Sequence, residues 1–275
     1  MTEYICYHNG EFKKNADVCI SFLDLGFQRA YGVFDYLRTY KQIPFQKEWH
    51  ADKLINSIKE MNIEIDLTRS DFLVILENLF LKNNDSLFEN MEYGVRTIVT
   101  GGVDNIPTII MYIEELDDHY FALQKKGISL LAKRAPRQSA GSKNIDYKTL
   151  MSSKKELEEK NCLEILHRGD TYVYESGTSN IFMIKDNVII TPKEKVYCGS
   201  TRKLVLDIAL ENNITTQERF ITWNEFIQAD EVFISASKKE ILPVVRIYNE
   251  REIFDFKIGE TTKKLIELFN IKKQD

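Results

Sequence analysis

Residues 141–147 read GSKNIDY, followed by YESGTSN at 174–180, CGSTR at 198–202 and ISAS at 234–237. Lys143 stands between a loop of small residues and a helical pattern, where an amine is held in a cleft rather than waved in solvent. Its nearest rival, Lys148, falls one turn into that helix, where a solvent-facing charge is the simpler account. Glu175 closes a strand-like run. Gly199, Ser200, Thr201 and Arg202 make a tight turn feeding straight into KLVLDIAL, so hydroxyls and free backbone N–H groups collect at the positive end of a helix, an arrangement that binds phosphate. A second small polar turn, Ser235-Ala236-Ser237, follows the strand EVFI. An amine for covalent attachment, a carboxylate to hold a proton and an anion cradle are complementary parts of one chemistry.

The rest of the composition narrows the class. The chain has 275 residues, 43% hydrophobic, enough for one or two globular domains without staples. Lys and Arg number 37 against 42 Asp and Glu, a formal net charge of -5 spread in mixed sign, so the basic footprint of a nucleic-acid binder is missing. Cys6, Cys19, Cys162 and Cys198 form no C-x-x-C pair and read as small core hydrophobes; His8, His50, His119 and His167 form no H-E-x-x-H, and His50 and His167 read as packing or surface residues. Neither a metal site nor a disulfide framework is expected. No apolar run reaches the roughly 20 residues of a membrane helix, and the first twelve residues lack the layout of a signal peptide, so a cytoplasmic protein is expected.

Periodicity supplies the elements. Strands are expected at Tyr4–Tyr7, Val18–Ser21 and through AYGVFDYLRTY. Apolar residues at helical spacing mark helices over Trp49–Met61 and Phe72–Leu81, the latter capped at Ser70-Asp71. Paired core strands are expected at Val95–Thr100 and Thr108–Ile113. The acidic run Glu114–His119 reads as the domain junction. Beyond it come a strand at GISLLAKR, a polar loop at APRQSAGS and one helix over Tyr147–Lys160 with Leu150, Met151 and Leu157 inward. Hairpins follow, turning at Arg168-Gly169-Asp170 and Asp186-Asn187, then a helix Lys203–Leu210, the strand EVFISAS and a last helix Thr262–Ile271. The fold class is α+β in two lobes, residues 1–118 and 119–275.

No P-loop, G-x-G-x-x-G or G-x-S-x-G motif is present. The chain instead resembles fold-type IV pyridoxal-phosphate enzymes, the class IV aminotransferase family that contains branched-chain aminotransferases, D-amino-acid aminotransferases and aminodeoxychorismate lyases. The resemblance runs from about Leu23 to about Ile247 through YGVFDYLRTY, HADKL, VRTIVTGG, KNIDY, YESGTSNIF, VIITP, CGSTR, ADEVFIS and EILPV, in the family's order. It implies the D-amino-acid aminotransferase-like fold, an N-terminal α/β domain carrying substrate-contacting strands, a C-terminal cofactor-binding domain, an active site between them, and a homodimer whose second subunit lends a loop.

Carried over residue by residue, the resemblance makes Lys143 the catalytic lysine that holds pyridoxal 5'-phosphate. Glu175 pairs with the pyridine nitrogen and Tyr147 with the phenolic oxygen; Ser200, Thr201, Ala236 and Ser237 bind the phosphate. Phe34, Tyr36 and Arg38, spaced i, i+2, i+4 on one strand face, contact substrate, and Arg96 meets its carboxylate. Two departures stand out. Where the family has Arg in H-x-x-R-L this chain has Lys53, which keeps the charge and loses the planar fork. The usual F-E is Phe34-Asp35, and Gly94 replaces the tyrosine that branched-chain enzymes place two residues before the arginine.

The implied activity is amino transfer between an amino acid, branched-chain-like, and a 2-oxo acid. Release of pyruvate from aminodeoxychorismate and D-amino-acid transfer share the same motifs, so the L or D configuration stays open. A catalytically silent cofactor-binding protein is the remoter reading, with Lys53 and Gly94 as its signs.

Overall fold

The computed structural model describes residues 3–116, 119–137 and 139–274. The chain divides into two compact units, residues 1–116 with 141–146, and residues 117–140 with 147–275. Asp117 and Asp118 of the acidic junction, and Gln138 of the polar loop, lie outside the described residues.

The first unit holds β1 (Ile5–His8), β2 (Glu11–Lys14), α1 (Leu25–Arg29), β3 (Gly32–Tyr40), β4 (Ile43–Pro44), α2 (Lys47–Glu60), α3 (Arg69–Asn83), β5 (Tyr93–Val103) and β6 (Ile106–Glu115). Its sheet runs β2-β1-β6-β5-β3-β4. One face of β3 and β5 supplies Val33, Leu37, Tyr93, Val95 and Val99 to a core closed by Leu54 and Ile58 of α2 and Phe72, Leu76 and Leu79 of α3. That is the period-2 strand pattern meeting the helical stripe. The expected strand Val18–Ser21 does not form: β1 pairs with β2 (Glu11–Lys14), a 3₁₀ turn at Asn15–Asp17 ends that hairpin, and Ile20 is exposed. The α3 cap also differs. Thr68, not Ser70-Asp71, is the N-cap: its Oγ1 accepts from the Asp71 N–H while the Asp71 carboxylate accepts from the Thr68 N–H, and this reciprocal box starts the helix at Arg69.

The second unit holds α4 (His119–Lys126), β7 (Ile128–Arg134), α5 (Lys148–Ser152), α6 (Lys154–Glu159), β8 (Glu164–Arg168), β9 (Tyr172–Ser176), β10 (Asn180–Lys185), β11 (Val188–Thr191) and α7 (Ser200–Glu211). It continues with β12 (Thr216–Glu218), β13 (Ile221–Thr222), α8 (Trp223–Phe226), β14 (Glu231–Ala236), β15 (Glu240–Asn249), β16 (Glu252–Asp255) and α9 (Glu260–Lys272). The sheet order is β12-β11-β10-β14-β15-β7-β8-β9-β13, with β16 beside β15. The β10–β11 hairpin turns as expected at Asp186-Asn187, both at positive φ (49° and 62°), the two-residue turn that Asp and Asn favour.

The expected helix Tyr147–Lys160 is two helices, broken at Ser153. Ser152 and Ser153 both donate their hydroxyls to the Thr149 carbonyl (3.1 and 2.8 Å), a local bond that competes with helix continuation. Leu157 is buried and Leu150 half-buried as expected, but Met151, one residue round the helix from Leu150, points outward and is 59% exposed. Of the cysteines only Cys6 is buried; Cys19 and Cys198 are exposed and not core residues, and all four are free thiols. Among the described residues no helix is long and apolar enough to cross a membrane.

Candidate active site

In the first unit the site residues share one sheet face. Phe34, Tyr36 and Arg38 alternate on β3 with the core-facing Val33 and Leu37. In the β3–β5 register Arg96 stands directly opposite Tyr36, and its guanidinium lies 5.1 Å from the Tyr36 ring centroid and 5.6 Å from that of Phe34. The next strand brings Tyr112 opposite Arg96, and Glu114 follows two residues on, with its carboxylate 3.9 Å from Arg96 Nε.

Lys143 joins this face by its backbone. The Phe34 N–H donates to the Lys143 carbonyl (2.8 Å), the Ile145 N–H donates to the Gly32 carbonyl (3.1 Å), and Val33 and Asn144 form a β-bridge, so residues 143–145 add to the β3 edge. The Lys143 N–H donates to Ser57 Oγ of α2 (3.2 Å). Strapped in this way, the half-buried Lys143 carries its ammonium over the Phe34 ring, 5.0 Å from the centroid. Arg38 sits at the far end of the row, 4.4 Å over the Tyr40 ring, and Lys53 on α2 lies 5.4 Å over the Trp49 ring.

Burial, then the Glu114 charge and hydrogen bond, push the Tyr36 hydroxyl well above its ordinary pKa, so it stays protonated as a donor. The same geometry explains Gly94. A Cβ at that position would stand 1.9 Å from the Tyr36 hydroxyl oxygen and 2.5 Å from Cζ, so the Tyr36 ring fills the space a side chain at residue 94 would take. Tyr36 itself is only 5% exposed and has no free path away. Gly94→Ala is therefore expected to displace Tyr36 and cost about 1–3 kcal/mol, read as a lowered urea midpoint with an unchanged slope.

In the second unit the cradle residues come together. Ser200, the first residue of α7, lies with its Oγ 3.2 Å from Ser237 Oγ, so the helix start and the turn after β14 face each other. Asn180 fixes the entry to α7: its side chain donates to the Tyr197 carbonyl (2.6 Å) and accepts from the Gly199 N–H (3.2 Å). A Cβ at Gly199 would meet Asn180 Oδ1 at 2.7 Å, which is why glycine precedes the helix. Thr201 is buried beside Ser200, Ala236 is half-buried at the β14 end, and the neighbouring Ser235 hydroxyl is buried with no hydrogen-bond partner among the described residues. Arg202 of the same motif faces elsewhere, donating to Glu218 (2.7 Å) and the Pro192 carbonyl (3.0 Å), and so ties α7 to β12.

Glu175 is buried on β9, with Oε1 accepting from Arg137 Nε (2.7 Å) and Oε2 from the Tyr197 N–H (2.9 Å). Burial raises its pKa, and the Arg137 charge and these bonds offset only part of the rise. Tyr147 is the N-cap of α5, half-buried.

Several residues that support the candidate site escaped the sequence reading. Arg137 reads as a loop cation in APRQSAGS, and nothing local marks it as the partner of Glu175. Lys239 reads as part of a solvated Lys-Lys-Glu run, yet its ammonium is buried and donates to Glu164 (2.8 Å), Ser179 (3.1 Å) and Thr178, holding the GTS loop after Glu175. His50 is a packing residue of a particular kind, 2% exposed, with Nδ1 2.7 Å from the buried Asp35 carboxylate. The Asp35 departure from the family's F-E was the one visible signal for it.

The family model for amino-transferase class IV matches residues 32–247. A protein of Methanocaldococcus jannaschii provisionally named a branched-chain-amino-acid aminotransferase is 30% identical over 278 residues, 96% of this chain and 94% of its own. The aminodeoxychorismate lyase of Bacillus subtilis is 28% identical over 276 residues, 96% of this chain and 92% of its own. Among solved structures, the branched-chain aminotransferase of Thermoproteus uzoniensis with norvaline superposes with a TM-score of 0.88 at 18% identity, covering 98% of this chain and 95% of that one, which gives the fold. The chain belongs to the class IV aminotransferase family of pyridoxal-phosphate enzymes.

Proposed function

We propose that this enzyme transfers an amino group between a branched-chain-like amino acid and a 2-oxo acid, with Lys143 as the residue that holds the cofactor and moves the proton. The observation that carries the reading is the row Lys143, Phe34, Tyr36 and Arg96 on one sheet face: an amine, an apolar aromatic wall and a guanidinium suited to a carboxylate. The residues fit pyridoxal phosphate. The paired Ser200 and Ser237 hydroxyls, the unpartnered Ser235 hydroxyl beside them and the free amides opening α7 suit a phosphate, and Glu175 suits a ring nitrogen.

When bound, the cofactor serves as an electron sink that acidifies the substrate α-carbon. The chain's residues do the rest. Lys143 would hold the cofactor and, with its amine free, would act as the base that takes the proton from the substrate α-carbon and as the acid that gives it back. Glu175, made a stronger base than a surface glutamate by burial, keeps the ring nitrogen protonated, and Arg137 fixes its orientation. Tyr147 donates to the phenolic oxygen, Ser200, Thr201, Ala236 and Ser237 bind the phosphate, and Lys53 contributes positive charge toward it. Arg96 orients the substrate carboxylate, and Phe34, Tyr36 and Arg38 contact the substrate from one face of β3.

The test is spectroscopic and chemical. The purified protein with pyridoxal phosphate absorbs in the visible, and branched-chain amino acids with 2-oxoglutarate bleach and restore that band. Bleaching by D-alanine alone makes it a D-amino-acid enzyme; pyruvate released from aminodeoxychorismate without bleaching makes it the lyase; a protein that ignores the cofactor overturns the reading. Arg137→Met is expected to leave Glu175 buried without its cation and to weaken cofactor binding by about tenfold, measured by titrating pyridoxal phosphate against the visible band.

The enzyme also acts, on this reading, as a cytoplasmic homodimer. Ile20, Phe22, Leu23 and Phe27, at 52%, 73%, 49% and 77% exposure, form a run of large hydrophobics on and before α1 that a second copy would cover. A monomer at assay concentration by sedimentation, active at full rate, contradicts this. Four free thiols suit a reducing compartment.

A further inference from the structure

Asp35 and His50 form a buried pair in the first unit that the mechanism does not use. Asp35 lies on the core side of β3, the next residue after Phe34, and His50 lies one turn into α2. They are 1% and 2% exposed, and His50 Nδ1 is 2.7 Å from Asp35 Oδ2. The other oxygen, Oδ1, is buried and accepts no hydrogen bond among the described residues. An ionised carboxylate in such a place is costly unless a positive charge stands near. Burial alone would raise the Asp35 pKa, but His50, the Lys143 ammonium and the bonds from His50 and the Tyr36 N–H outweigh it, and the carboxyl is held below its ordinary value. Lys143 is in turn fixed to the two elements that carry the pair, by Phe34 on β3 and Ser57 on α2.

We propose that the Asp35–His50 pair is a positioning device for Lys143: a carboxylate locked in its ionised form by a histidine donor, placed behind the strand that straps the lysine, so that it sets how readily the Lys143 amine keeps its proton. Asp35 is one methylene shorter than the glutamate the motif leads one to expect. Another acid near the strap is Glu60 at the end of α2, whose carboxylate lies 3.2 Å from the position of a Cβ on Gly141. The inference rests on Lys143 being the working amine, yet the charge coupling itself belongs to the protein without cofactor.

The experiment is competitive acetylation of the full-length cofactor-free chain with trace acetic anhydride across a pH series, Lys143 being followed by mass spectrometry against exposed lysines. An opposite charge favours the ammonium, so Asp35→Asn is expected to move the half-reactivity pH of Lys143 downward by about 1 unit. His50→Phe is expected to move it the same way, because Asp35 then loses its donor and takes up a proton, and His50→Asn, which keeps an N–H near the Nδ1 position, restores it. Glu60→Gln is expected to shift it less. An unchanged profile in Asp35→Asn, an equal shift in Glu60→Gln, or no difference between His50→Phe and His50→Asn in variants that unfold cooperatively like wild type overturns the proposal. The visible band of the wild-type protein with pyridoxal phosphate separates the two ideas: its absence refutes Lys143 as the cofactor lysine and leaves the acetylation result standing.

Discussion

Lys143→Ala is expected to abolish the visible absorbance that pyridoxal phosphate gives with this protein and to lower turnover by about 10,000-fold, because one residue supplies both the attachment point and the moving proton. The structure predicts that the loss is chemical and not a collapse of the fold. The strap to β3 and α2 is made by the backbone of residue 143 and its neighbours, with the Phe34 N–H donating to the 143 carbonyl and the 143 N–H donating to Ser57, and both bonds survive in alanine. The side chain contributes its ammonium over the Phe34 ring and part of the positive charge near Asp35. Thermal unfolding of the variant is thus expected within a few degrees of wild type. Lys148→Ala is the comparison: Lys148 is exposed on α5, and its loss leaves the band intact.

The second large effect is on stability. Lys239→Met removes the cation from a buried pair in which Glu164, 2% exposed, accepts from Lys239 Nζ (2.8 Å), Ser179 Oγ (2.7 Å) and the Thr178 N–H (2.6 Å). Breaking such a pair from one side costs about 3–5 kcal/mol, since the remaining charge is stranded. For a chain of this length that corresponds to a fall in Tm of roughly 10 °C. Burial pushes the Glu164 carboxyl upward, but the Lys239 charge and the hydrogen bonds outweigh it, so its pKa is below the ordinary glutamate value. The stabilisation from Glu164 is therefore present above that ordinary value and is lost as pH falls below about 4. In Lys239→Met the deficit is largest near neutral pH and shrinks on acidification, as the stranded Glu164 takes up a proton. The double change Lys239→Met with Glu164→Gln recovers part of the loss, a departure from additivity that a thermal-melt cycle measures. A Lys239→Met protein as stable as wild type contradicts the buried pair.

The order of motifs decided the fold and the family because each is local. The i, i+2, i+4 row Phe34, Tyr36 and Arg38 needs only the strand period to share a face, and Gly199-Ser200-Thr201 needs only a helix to follow it. Hairpin turns such as Asp186-Asn187 are equally legible, since the positive φ they need is a property of those side chains. Local competition misled the reading where two outcomes were close. Ser152 and Ser153 satisfy the Thr149 carbonyl and break a helix whose apolar spacing looked continuous, and the Thr68–Asp71 box outbids the Ser70-Asp71 cap by pairing two groups at once.

The sequence by itself determined the α+β class, because propensity, periodicity and turn chemistry act over a few residues, and through the order of its motifs it determined the family; Lys143, Glu175 and the Ser200–Ser237 cradle are candidates that follow from that resemblance. Tertiary structure alone decided their surroundings: that Arg137 holds Glu175, that Lys239 is a buried anchor under the GTS loop, that the Tyr36 ring occupies the space over Gly94, and that Asp35 and His50 lock together behind the Lys143 strap. These partners stand 38, 75, 58 and 15 positions apart in the chain. A charge written in a sequence carries no mark of burial, and whether Lys239 is solvated or Asp35 ionised depends on desolvation and on partners brought near only by the fold.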